Sequence, residues 1–129
     1  MTKFFLLAVV MAATFATGAA AQDCTASGDA EVGIVEIVQF RLADGVDRDQ
    51  FIAEAANTMP TLCAMDGFIG RVLSEAEDGS WTDHVRWTDT EAAQAAMAAS
   101  MENEALLPFI MSVDPETMTL TYQVPVVLE

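Results

Sequence analysis

Basic residues are scarce in this chain, with Lys3 and four arginines set against twenty acids in 129 residues, a formal charge of −15. Nucleic acid and anionic lipid surfaces both need a basic patch to displace counterions, so neither is an expected partner. The acidity itself reads as a solvated, repulsive surface. Histidine occurs once, at His84, and neither a C-x-x-C pair nor an H-E-x-x-H run is present. Metal centres draw three or four converging ligands, so no metal is expected, and His84 reads as an exposed or hydrogen-bonded residue rather than a haem or metal ligand. A Gly-rich phosphate loop and a G-x-S-x-G elbow are missing too, which removes two common nucleotide and hydrolase sites; no cofactor is expected.

Long apolar runs are limited to the start of the chain. Lys3, an apolar stretch from Phe4 to about Phe15 and the small residues Ala19-Ala20-Ala21 follow the order of a secretory signal cleaved before Gln22. The stretch is short for a spanning helix, and Ala-Gln-Asp before Cys24 lacks the small residue of a lipoprotein site, so no membrane anchor is expected. Residues 1–21 are therefore expected to be a signal peptide, 22–31 an N-terminal tail and 32–129 a single domain. The mature protein is expected to be periplasmic or secreted. Loss of Lys3 takes the charge from −15 to −16. In an oxidising compartment the two cysteines, Cys24 and Cys63, are expected to pair and pin the tail; in the chain-entropy model that closure adds about 4 kcal/mol.

From Val32 to Leu42, VGIVEIVQFRL is rich in branched residues and predicts a strand that ends at the turn signal Asp44-Gly45. Asp47 reads as the N-cap of a helix carrying Phe51, Ile52, Ala55, Met59 and Leu62, which Pro60 should kink or restart and Asp66-Gly67 should stop. Phe68 to Glu75 and WTDHVRW form a hairpin across EDGS at 77–80. Thr88, with Glu91 three residues on, has capping-box spacing for an alanine-rich helix to about Met101. A broken helical stretch around Pro108 follows, and then a last strand with Met118, Leu120, Tyr122 and Val124 on one face.

The order β-α-β-β-α-β predicts an α+β, ferredoxin-like domain: an antiparallel sheet with two helices on one face. Two helices cover only one side, yet the first strand and the Trp strand are apolar on both. A second copy is expected to cover the other side, giving a homodimer whose sheets face each other.

Within GSWTDHVRWTD, period-two alternation places Trp81, Asp83, Val85 and Trp87 on one face. Indole walls raise a carboxylate's pKa and stack on flat ligands, so Asp83 is a candidate base or ligand anchor between Trp81 and Trp87. The competing structural reading makes the tryptophans packing residues and pairs Asp83 with an arginine such as Arg71. Glu36 interrupts an apolar strand face; it either pairs with Arg71 or lines a wet cavity, because a buried acid without a partner is costly. A small hydrophobic or aromatic molecule is the expected ligand.

The runs EIVQFRLADGVDRDQFIAEA and GFIGRVL, and the acid-x-x-x-Trp strand leading into TDTEAA, resemble the dimeric α/β-barrel proteins similar to antibiotic biosynthesis monooxygenases. The likeness covers nearly the whole mature chain. It implies a dimeric α/β barrel and a cofactor-independent monooxygenase-like activity on an aromatic or enolisable compound, the alternative being a non-catalytic ligand-binding or structural dimer. In cofactor-free oxygenases of that group an Asn and a Trp four residues later line the cavity. Trp87 matches the Trp, while Asp83 stands in place of the Asn. An ionised carboxylate cannot donate a hydrogen bond to an oxyanion as an amide does, so the resemblance implies Asp83 and Trp87 as catalytic residues with the donor function altered.

Overall fold

Capping chemistry sets the helix boundaries in the computed structural model, which describes residues 21–24 and 30–129. The expected signal peptide lies outside the described residues, apart from Ala21. Asp47 accepts a hydrogen bond from the Gln50 amide at 3.0 Å and opens α1, Arg48–Asn57. Pro60 has no amide hydrogen to continue that ladder, so the chain restarts as α2, Met59–Cys63, with the proline in its first turn. Gly67 then turns the chain at φ +80°, where a Cβ would come within 2.6 Å of Ala92 and Thr88. The next helix, α3, spans Thr90–Ser100 and is capped by Asp89 rather than by Thr88: the Asp89 carboxylate accepts from the Ala92 amide at 2.7 Å. The expected cap was one residue early because a carboxylate, the stronger acceptor, follows the threonine directly. Pro108 opens the short α4, Leu107–Met111.

One antiparallel sheet carries these helices. Its strands are β1 (Ala21–Asp23), β2 (Ile34–Phe40), β3 (Phe68–Glu75), β4 (Trp81–Trp87) and β5 (Thr119–Gln123), in the order β1-β3-β4-β2-β5. The start of the segment read as a tail thus joins the sheet edge beside β3. Opposite pairs Ile34 with Trp87, Glu36 with Val85, Val38 with Asp83 and Phe40 with Trp81 fix which side chains share a face. Arg71 and Leu73 of β3 lie opposite Val85 and Asp83, and Leu120 and Tyr122 of β5 lie opposite Val38 and Glu36. All of these point toward the helices. Val35, Ile37, Val72 and His84 occupy the other face, half-buried, with no helix packed on them among the described residues.

The ferredoxin-like arrangement of sheet and helices holds, but the expected barrel does not form. The sheet is open: β1 and β5 are its edges and do not pair with each other. Closure requires tilted strands long enough to meet edge to edge. Here the edge strands have only three and five residues, and Pro125 follows β5 closely, where it removes a ladder donor. The breaks expected at Pro60 and around Pro108 appear as α2 and α4, separate short pieces beside the two longer helices.

Two apolar clusters hold the helices to the sheet. Under α1, Phe51 is fully buried and meets Phe40, Trp81 and Phe109 at centroid distances of 5.8, 4.8 and 5.4 Å. Under α3, Ala93 and Ala96 let the helix approach Ile34, Phe68, Val85 and Trp87 closely. Cys24 and Cys63 are disulfide-bonded, as expected, and tie the end of β1 to the last residue of α2.

Candidate functional site

Between the two clusters the helix layer stands off the sheet and leaves a cavity of about 470 Å³. Val38, Val85, Trp87, Leu62, Leu106 and Phe109 supply much of its apolar wall. Its polar side chains are few: Glu36, Thr58, Arg71, Asp83 and Ser100. An apolar cavity with a handful of convergent polar groups is the usual form of a small-molecule site.

Arg71 organises one end. Only 3 % exposed, it donates from Nε to Asp83 Oδ1 at 3.1 Å and from Nη2 to Asp83 Oδ2, and from Nη1 to Thr58 Oγ1 at 2.8 Å. Its guanidinium also lies over the Phe109 ring, 4.9 Å from the centroid. Thr58 in turn donates its hydroxyl hydrogen to the Ala55 carbonyl at 2.6 Å, so the junction of α1 and α2 holds the arginine. The result is a forked, charge-assisted pair whose members satisfy each other. Burial pushes the Asp83 carboxyl up, while the Arg71 charge and hydrogen bonds pull it back.

The register therefore brings Glu36, Arg71, Asp83 and Trp87 to one cavity. Of the two alternatives the sequence leaves open for each acid, the bidentate pair forms between Arg71 and Asp83, so Asp83 is not a free base, and Glu36 lines the cavity instead of pairing with Arg71. Its Oε2 is buried and has no hydrogen-bond partner among the described residues. Burial pushes the Glu36 carboxyl from the ordinary 4.5 up to about 7; the Tyr122 hydroxyl opposes that rise and the Asp83 charge adds to it. Tyr122 lies directly opposite Glu36 on β5.

Trp87 lines the cavity, packs edge-on against Phe68 at 5.2 Å, and has a buried Nε1 without a partner among the described residues. Trp81, the other expected wall, is not part of the cavity lining; it packs against Phe51, with Arg48 over its ring at 5.9 Å. Alternation puts both indoles on one face, but Phe51 packs edge-on over Trp81 at 4.8 Å and, with Phe40, encloses it in the apolar cluster under α1 instead of leaving it on the cavity wall. Thr58, Phe109 and Tyr122 were not foreseen as site residues. The one available signal was that Tyr122 alternates onto the same face as Met118 and Leu120. His84 lies on the opposite face from the cavity. Among the described residues no cluster of three or more histidine, cysteine or acidic side chains could hold a metal ion, and no helix is long and apolar enough to cross a membrane.

No family profile and no curated protein matches the chain in sequence. Solved structures do match in fold. SnoaB, a cofactor-independent oxygenase from Streptomyces nogalater, superposes with a TM-score of 0.53 at 18% identity, over 77% of this chain and 96% of that one. A protein assigned to the antibiotic biosynthesis monooxygenases from Bordetella bronchiseptica gives 0.63 at 18% identity, over 75% of this chain and 100% of that one. A similarly assigned protein from Chloroflexus aurantiacus gives 0.52 at 14% identity, over 74% of this chain and 96% of that one. The chain thus resembles, in its ferredoxin-like fold, the antibiotic biosynthesis monooxygenase-like proteins and a cofactor-independent oxygenase among them.

Proposed function

We propose that the chain is an exported, cofactor-independent monooxygenase-like enzyme that takes a small aromatic or enolisable compound into the cavity and uses Glu36 as its base. The observation that carries this reading is the unpartnered Glu36 oxygen in an otherwise apolar cavity. A carboxyl with a pKa near 7 is half ionised at neutral pH, where a general base is most effective. It removes the proton of a phenol or enol, and the resulting anion is electron-rich enough to react with dioxygen. Trp87 offers a flat wall and an indole donor for the developing oxyanion. Asp83, already satisfied by Arg71, anchors the site rather than reacting. The resemblance in fold to a cofactor-independent oxygenase supports this reading.

The saturation of Asp83 also favours a second reading, a non-catalytic carrier of the same class of compound. Oxygen uptake on addition of simple naphthols or hydroxyanthrones separates the two: turnover lost in Glu36→Gln supports the enzyme, whereas equal binding without oxygen uptake in either protein supports the carrier. As part of the same proposal, two copies associate through the half-buried sheet face around Val35, Ile37, Val72 and His84. Sedimentation of Ile37→Asp as a monomer, against a wild-type dimer, tests that interface.

A further inference from the structure

Six methionines fall among the described residues, and they are not distributed evenly. Met59, Met65 and Met97 are half-buried, whereas Met101, Met111 and Met118 are 62%, 73% and 46% exposed. All three exposed ones line the cavity. They come from separate places in the chain: the residue after α3, the last residue of α4 and the residue before β5. Being both exposed and cavity-lining, they stand where the cavity meets solvent.

Leucine would supply comparable apolar area at such a mouth; methionine adds a thioether that two-electron oxidants attack. We infer that Met101, Met111 and Met118 form an oxidation site that gates the cavity, with peroxides as the reacting class. A sulfur lone pair attacks one peroxide oxygen, the O–O bond breaks, sulfur is oxidised to the sulfoxide and hydrogen peroxide is reduced to water. The product is a polar group set in an apolar rim. An apolar ligand seated there must either desolvate the sulfoxide oxygen or lose contact with the rim, and both weaken binding. The rim is accessible without unfolding, so the reaction precedes any at Met59, Met65 or Met97. The gate rests on the cavity being the ligand site.

The test treats the full, disulfide-bonded protein with limiting hydrogen peroxide, maps sulfoxides by peptide mass spectrometry and titrates the neutral probe N-phenyl-1-naphthylamine before and after. The expected result is a 16 Da gain at the three rim methionines first, with probe affinity reduced about tenfold or more. A Met101→Leu/Met111→Leu/Met118→Leu protein keeps its probe affinity through the same treatment. Equal oxidation of all six methionines, or unchanged probe uptake after rim oxidation, overturns the gate. Failure of the untreated protein to take up the probe overturns the cavity reading itself, and the gate with it.

Discussion

Glu36 and Tyr122 face each other across the β2–β5 ladder, and the phenol hydroxyl holds the buried carboxyl below the value that burial alone would give it. Removing that hydroxyl in Tyr122→Phe therefore raises the Glu36 pKa. The midpoint of any Glu36-dependent turnover or ligand uptake is expected to move to higher pH, by a shift readable in a pH–rate profile. An unchanged midpoint would separate the tyrosine from the acid.

Glu36 also makes stability depend on pH. Its pKa is higher in the folded protein, about 7 against the ordinary 4.5, so between these values the folded state binds more protons than the unfolded one. Stability from this group is then fully present below about 4.5 and is lost as pH rises through 7. The full shift corresponds to roughly 3 kcal/mol, less whatever water in the cavity screens. Urea denaturation at pH 5 and pH 8 is expected to show the wild type weaker at the higher pH and Glu36→Gln nearly level.

Breaking the Arg71–Asp83 pair leaves an unpaired buried charge. Asp83→Asn is expected to cost about 3–5 kcal/mol, and Arg71→Met a similar amount. The double variant Arg71→Met/Asp83→Leu should recover much of that loss, because no charge is then stranded. A double-mutant cycle in urea measures the coupling directly.

The two tryptophans are expected to part company. Trp81→Phe disturbs the packing on Phe51 and lowers stability, leaving probe uptake unchanged. Trp87→Phe alters the cavity wall and weakens uptake with a smaller stability loss. Fluorescence titration and thermal melting of both variants decide the matter.

Reduction of the Cys24–Cys63 bond frees the end of β1 from α2. The chain-entropy model puts the loss at about 4 kcal/mol, so melting with a reductant should fall by more than about 10 °C. A melt that ignores the reductant would show that the bond adds little.

Local chemistry was readable in advance. Asp47, Pro60 and the EDGS turn marked element ends, and alternation put Trp81, Asp83 and Trp87 on one face, because caps, missing donors and period-two geometry act within a few residues. Pairing between strands was not readable. The choice of Asp83 over Glu36 as the partner of Arg71 depends on a register shift near Phe68 and Gly70 and on Thr58 arriving from a different element. Barrel closure failed for a similar reason: it depends on how long the edge strands stay paired, and no single residue of β1 or β5 announces that. Both acids are legible as candidates in WTDHVRW and IVEIVQF, but which of them the arginine takes is decided only by the fold.

Among the described residues the open sheet leaves two rows of backbone donors and acceptors without strand partners, and the apolar residues Val124, Val126, Val127 and Leu128 trail exposed beyond one of them. Such a rim is a template for adding another chain. The edge strands are short and Pro125 follows one of them, which limits such addition, and the acid surplus adds to that limit: at −15 each molecule keeps its neighbours at a distance. Near the isoelectric point of about 4.1 that insulation vanishes, and the same fold should pass from a colloid-stable solute to one that grows edge to edge.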